Sequence, residues 1–362
     1  MIHLFTGTKA QVIKMAPVAV ELRDRGVPFR TVDSGQHADL TRRLRSVFAL
    51  AEPDVRLRSA GGDVVSLRGA VKWYAGQAWR SMVGGRWLRD EVFPGGGICL
   101  IHGDTLSTLL GMRMAKRAGL DVAHVESGLR SFCAWEPFPE ELIRVRCMRR
   151  ADLLFAPSDE AAGNLKEMNV RGRVVNVGGN TVADALRLVA GAPTTMRIPE
   201  EPFALATCHR VENIRRRGRL ARIVALVNRV AERIRVVFVV HKPTLDALRR
   251  FGLADALSGA VERLDMLDYP DMVAMLQAAR VVLTDGGSIQ EECACLGKPC
   301  LILRRTTERP DGLGKTAMLW AFDDAAGDVF VSRADVIAAP PPELPTPSAR
   351  IVDTLVEMGY AE

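Results

Sequence analysis

The chain's 362 residues suffice for two domains with separate cores, and its 48% hydrophobic and 25% charged content is that of an ordinary globular protein. The formal charge of +6 sits partly on arginine-rich stretches such as Arg215, Arg216, Arg217 and Arg219. Without interleaved aromatics these read as solvated helix faces and argue against nucleic acid as a partner. No apolar run is long enough for membrane insertion, MIHLFTGTKAQ lacks a signal-peptide layout, and the seven scattered cysteines read as reduced thiols, so a cytoplasmic protein is expected.

Apolar strands alternate with amphipathic helices along the chain. HLFTG opens the series and a helix follows around residues 10–26. Next come FRTVDSG with Gln36 and His37 after it, then GGICLIHGD (96–104), DVAHVESG (121–128), ADLLFAPS (151–158) and VRGRVVNVGG (170–179). A second series runs through FALATCHR (203–210), RVVFVVHK (235–242), Leu264–Leu267, RVVLTDGG (280–287) and PCLIL (299–303). This alternation predicts an α/β protein with two doubly wound Rossmann-like domains facing each other across a cleft. The expected domains are 1–178 and 179–337. A proline-rich linker and final helix, 338–362, are expected to pack back on the first domain. Asn180 or Thr181 is a candidate helix cap at the boundary.

Polar residues recur where strands end: Asp104, Glu126, His209, His241 and Asp285. The stretch TDGGSIQEE (284–292) joins a strand to a helix through Gly286 and Gly287, with Ser288 beside them. Free amides and the helix dipole favour an anion there, while Glu291 and Glu292, expected in the first helical turn, could bind ribose hydroxyls. A nucleotide diphosphate is the ligand this suggests, although an ordinary strand-to-helix turn has the same pattern. No GxGxxG follows the first strand, so no dinucleotide is signalled. The carboxylates and histidines lack metal-ligand spacing. Structural readings stand beside the chemical ones. Asp104 could cap a helix, Glu126 and Arg130 could form an i,i+4 ion pair, PFPEE (137–141) could only start a helix, and His209 could be a polar strand end.

Taken in order, GTKAQVIKMAP (7–17), SGQH (34–37), HGDT (102–105), HVESGLRS (124–131), PFPEE, GNTVADAL (179–186), TCHRVEN (207–213), TDGGSIQEE and TTERP (306–310) resemble the non-hydrolysing UDP-N-acetylglucosamine 2-epimerase family. The resemblance implies a GT-B fold, a homodimer, a UDP-sugar substrate and no cofactor. It implies epimerisation at C2 of a UDP-N-acetylhexosamine, UDP-GlcNAc to UDP-ManNAc or an analogue, by loss and re-addition of UDP through a 2-acetamidoglucal. Asp104, Glu126, Glu140 and His209 match catalytic positions. Lys9, Lys14, Arg144, Gly286, Gly287, Ser288 and Glu292 match substrate-binding ones. Gln36, His37 and His241 match a regulatory site of some members.

The chain departs from the family pattern at several places. Arg-Pro-Glu is replaced by Lys9-Ala10-Gln11, and Asp-Ser-Gly-Gly by Asp285-Gly286-Gly287-Ser288. The asparagine before the PEE-motif arginine is Ile143, and H-x-N-P is HKPT. Three alternative activities remain open at this level: a hydrolysing epimerase, a GT-B glycosyltransferase, and a non-catalytic UDP-sugar-binding protein.

Overall fold

All strand pairs run parallel, and the strands form two separate sheets. The structure, a computed structural model, describes residues 1–58, 64, 67–133 and 139–361. Pro137 and Phe138 of the PFPEE stretch lie outside the described residues.

The first sheet comprises β1 (Ile2–Thr6), β2 (Phe29–Asp33), β3 (Val55–Arg56), β4 (Ile98–His102), β5 (Asp121–Val125), β6 (Leu153–Ala156) and β7 (Arg173–Asn176). Their spatial order is β3-β2-β1-β4-β5-β6-β7. Central strands β1 and β4 are buried throughout, which is why both read as continuous apolar runs. Alternate residues feed two cores: Phe5, Cys99, Ile101 and Val122 join one, and Leu4, Ile98, Leu100 and Ala123 join the other. Helices Leu106–Ala118 and Glu140–Met148 cover the former, whereas Lys9–Asp24 and the final helix Pro347–Glu357 cover the latter.

The second sheet comprises β8 (Phe203–Cys208), β9 (Arg235–Val240), β10 (Val261–Leu264), β11 (Val281–Thr284), β12 (Cys300–Ile302) and β13 (Ala317–Leu319), in the order β10-β9-β8-β11-β12-β13. It too has a core on each face. The tenth strand ends at Leu264 rather than spanning to Leu267. Beyond it the chain prepares a helix at Tyr269, with Asp268 at the cap and Pro270 in the first turn. Strands β3 and β13 are too short to give a sequence signal.

The chain divides into a unit of Met1–Leu188 with Leu344 onward, and a unit of Val189–Glu343. The helix Val182–Val189, expected to open the second domain, is therefore almost entirely part of the first. Its Asp184 carboxylate accepts from the Ser348 amide at 2.8 Å, and Arg187 donates to the Leu344 and Pro345 carbonyls. Ile351, Val352 and Leu355 of the final helix are fully buried in the first unit's core. Leu355→Ala should therefore cost the first unit about 2–5 kcal/mol, measured as a lowered urea midpoint.

Candidate active site

Each sheet reverses its strand order once, between β1 and β4 in the first and between β8 and β11 in the second. Connections leave in opposite directions at such a point and open a crevice at the carboxyl ends of the strands. Asp104 lies just beyond β4, Glu126 just beyond β5, His209 just beyond β8 and Asp285 just beyond β11.

In the first unit, the chain turns after β4 through Gly103 at φ +69°, a conformation open to glycine. Thr105, not Asp104, caps the next helix, in a capping box with Thr108. Asp104 is thus released from the capping role and pairs with Arg144. Arg144 is 2% exposed, and its other nitrogen donates to Glu141 Oε2 at 3.0 Å. Glu141 also accepts from Arg130 Nε at 2.5 Å and the Ser131 amide at 3.2 Å. Arg130 therefore serves Glu141 rather than forming the i,i+4 pair with Glu126. Glu140, half-buried, is the first residue of the Glu140–Met148 helix, whose start indeed carries both acids.

Glu126 has φ +66°, a strained conformation for a residue with a side chain, at a cost of about 1–3 kcal/mol. Its carboxylate is held by Lys14 and by Asn180 Nδ2 at 2.7 Å, and His102 Nε2 lies 3.2 Å from it. Lys14 is 1% exposed, and an ammonium so deeply buried requires the partner it has. Gln11 caps its own helix with Thr8 and also donates to the His102 carbonyl at 3.0 Å and Thr108 Oγ1 at 2.9 Å, tying the first helix to the Asp104 turn. Lys9 is half-buried at the start of the same helix.

In the second unit, Asp285 is fully buried and accepts from the amides of His209 (2.9 Å) and Arg210 (2.9 Å), from Asn213 Nδ2 (2.9 Å) and from the Cys208 thiol (3.2 Å). Burial opposes its charge, but the nearby His209 and these donors hold its carboxyl below the usual range. His209 Nδ1 lies 3.4 Å from Asp285 Oδ1, and its ring stacks on His241 with centroids 4.9 Å apart. Asp285 thus fixes the backbone that carries His209 and sets a negative charge beside its ring.

Gly286 is the cap of helix Gly287–Cys295 and has ordinary negative φ, so the glycines here provide space rather than unusual dihedrals. A Cβ on Gly286 would stand 2.9 Å from His209 Cε1, and one on Gly287 would stand 2.6 Å from Arg309 Nη1. No side chain caps this helix, which leaves early amides available to an anion. Ser288 is half-exposed beside them. Glu291 and Glu292 lie beyond the first turn, a correction to their expected place, because the helix already begins at Gly287. Glu291 Oε1 pairs with Arg309 Nε at 3.0 Å. Burial, with the Glu292 carboxylate next to it, pushes the Tyr269 phenol up.

Gln36 and His37 lie between β2 and the helix Ala38–Val47, whereas His241 caps the helix after β9; they belong to different units. Sequence reasoning gave Asn180 only a capping role and gave none to Glu141, His102, Arg309 or the bonds from the His209 and Arg210 amides to Asp285. Only Asp285 carried a signal, its place at a strand end. Among the described residues no cluster of three or more His, Cys, Asp or Glu could hold a metal, and no helix is long and apolar enough to cross a membrane.

Two parallel α/β units, one with buried carboxylate–cation pairs and the other with a histidine and an uncapped helix start, define a class suited to acid–base chemistry on an anionic ligand. The family model described as UDP-N-acetylglucosamine 2-epimerase matches residues 21–329. Over 324 residues the chain is 32% identical to the UDP-N-acetylglucosamine 2-epimerase of Bacillus subtilis, covering 85% of this chain and 79% of that protein. It is 36% identical over 214 residues to the UDP-2,3-diacetamido-2,3-dideoxy-D-glucuronate 2-epimerase of Pseudomonas aeruginosa, covering 58% and 59% of the two chains. Among solved structures, the Methanocaldococcus jannaschii UDP-GlcNAc 2-epimerase in complex with UDP-GlcNAc and UDP has a TM-score of 0.83 at 26% identity, covering 98% of this chain and 99% of that one. The chain belongs to the UDP-N-acetylglucosamine 2-epimerase family.

Burial lowers His3 and His124, both in the first unit, to about 4. Between that value and 6.5 the unfolded chain binds more protons than the folded one. The stability these neutral rings allow is therefore complete above about pH 6.5 and falls as pH drops towards 4, by a few kcal/mol in order of magnitude. Urea midpoints of the first unit across this range should show the fall, and it should be shallower in the double variant His3→Gln/His124→Gln.

Proposed function

We propose that this chain epimerises C2 of a UDP-N-acetylhexosamine without net hydrolysis, interconverting UDP-GlcNAc and UDP-ManNAc or a modified analogue, as a cytoplasmic homodimer. The observation that carries this reading is the family match together with Asp104, Glu126, Glu140 and His209 standing in their motifs. In the proposed reaction a base removes the C2 proton. The C–H electrons form the C1=C2 bond as the C1–O bond breaks, and UDP leaves a 2-acetamidoglucal. UDP then adds back at C1 while a proton reaches the opposite face of C2.

Asp104, Glu126, Glu140 and His209 are the acid–base candidates. One such group contributes about 10²–10⁴-fold, so stabilisation of the departing diphosphate must supply much of the remainder. The helix-start amides at Gly287 and Ser288 are suited to that task. Arg309, which lies against Gly287 in the same unit, is a further candidate for that task. Glu292 remains the candidate for the ribose.

Proton NMR in D₂O with UDP-GlcNAc tests the reading. UDP-ManNAc carrying deuterium at C2 is the expected product. Labelled free ManNAc with UDP would instead identify a hydrolysing enzyme. Because one relative acts on a diacetamido uronate, that UDP-sugar is the second substrate to try. Absence of label from both would overturn the proposal. Asp104→Asn and Glu126→Gln should each lower kcat by about 10²–10⁴-fold in the same assay. Gly287→Ala should weaken UDP binding in calorimetry by displacing Arg309.

A further inference from the structure

We infer that His124 is a positioning residue that sets the spacing of the Asp104 and Glu126 loops by bridging them with the two nitrogens of one buried imidazole. This rests on the proposed roles of those two carboxylates. His124 is the fourth residue of β5 and is fully buried. Its Nε2 is 2.7 Å from the carbonyl of Gly103, the residue before Asp104. Its Nδ1 is 2.8 Å from Oγ of Ser127, the residue after Glu126. No other ring among the described residues is bonded to the neighbours of both carboxylates.

The chemistry of the partners fixes the tautomer. A carbonyl only accepts, so Nε2 carries the hydrogen. Nδ1 then has a lone pair, and the Ser127 hydroxyl, which lies 2.8 Å from Nδ1 and 2.9 Å from the His124 carbonyl, shares its one hydrogen between these two acceptors. A neutral ring suits this arrangement, and complete burial keeps the ring neutral near pH 7. The neighbouring charged and titratable groups are His102, Asp104 and Glu126.

Both loops need such a tie. Gly103, Glu126 and Gly128 all have positive φ, at +69°, +66° and +90°. Glu126 is the strained member, and a strained conformation persists only where its surroundings over-determine it. The backbone supplies one link, from the Gly103 amide to the Val125 carbonyl at 3.2 Å. His124 supplies a second across the loops through Nε2, while Nδ1 ties the ring to Ser127 in its own loop. Strand alternation explains how it reaches both loops: Val122 faces the core beneath Leu106–Ala118, and His124, two residues on, points to the same face at the sheet edge where the Asp104 turn passes. An apolar residue at 124 would fill the space yet leave the Gly103 carbonyl and Ser127 hydroxyl without the ring that joins them.

The test compares wild type with His124→Phe and His124→Gln. Gln is included because its amide can donate to the Gly103 carbonyl from a similar reach. His124→Phe should lower kcat about 10–100-fold with KM changed less than about threefold, since small misplacement of catalytic groups acts on the chemical step. His124→Gln should recover part of that loss. Hydrogen exchange should quicken at residues 103–105 and 126–128 in the Phe variant, with exchange in the β8–β13 sheet unchanged. Imidazole nitrogen NMR of wild type should show the Nε2–H tautomer at pH 7. Equal kcat and equal exchange in His124→Phe and wild type would overturn the inference, as would an Nδ1–H tautomer. If His124→Phe does not fold, His124→Leu carries the same comparison, and loop exchange equal to wild type with undiminished kcat would overturn it. If the wild type turns over no UDP-sugar, the proposed function falls, while exchange and tautomer still decide the role of His124.

Discussion

Parallel strand direction is the constraint on which the rest of the molecule depends. In a parallel sheet every strand delivers its carboxyl end to the same edge, and every connection must return across a face. Residues from distant parts of the sequence therefore gather at one edge of each sheet. Thr8 and Lys14 follow β1, Asp104 follows β4 and Glu126 follows β5 in the first. His209, His241 and Asp285 follow β8, β9 and β11 in the second. Reversal of the strand order between β1 and β4, and between β8 and β11, leaves those particular ends uncovered by their own connections.

The two units manage buried charge differently. The first pairs formal charges, Lys14 with Glu126 and Arg144 with both Asp104 and Glu141. Removing one member of such a pair would strand the other in a medium that solvates it poorly. The second surrounds one carboxylate, Asp285, with amide, amide side-chain and thiol donors and sets a histidine beside it. Its further cations and acids form a separate network, in which Glu308 meets Arg210 at 3.3 Å and Arg304 at 3.0 Å, while Arg309 bridges Glu308 and Glu291. Arg309 is thereby held over Gly287, where a side chain at that glycine would displace it.

The departures from the family pattern acquire physical meaning in this setting. Gln11, where the pattern has an acid, completes a capping box and donates to the Asp104 turn, which a carboxylate could not do. Ile143, where the pattern has an asparagine, is 5% exposed and packs in the core beneath its helix, so it contributes burial rather than a polar contact. In HKPT, Pro243 occupies the first helical turn and Thr244 donates to the Cys208 carbonyl at the end of β8, so this segment anchors a helix to the strand that carries His209. Nothing in the structure explains the lysine at position 9 in place of arginine.

The sequence by itself determined the α/β class, most strand positions and the identities of the strand-end acids and histidines. These are local properties: buried parallel strands are continuous apolar runs, and a polar residue closing such a run stands out. It also determined the family resemblance, because ordered motifs are a property of the chain. Tertiary structure alone decided the partners. Glu126 meets Lys14 rather than Arg130, Asp104 meets Arg144 rather than capping a helix, and His209 stacks on His241. It decided that the Val182–Val189 helix goes with the first unit, because Asp184 and Arg187 bind a segment some 160 residues later. It also decided that His124 spans two loops. The physical reason is common to all: a hydrogen bond or ion pair is set by separation in space, and a parallel sheet makes neighbours of strand ends that the sequence holds far apart.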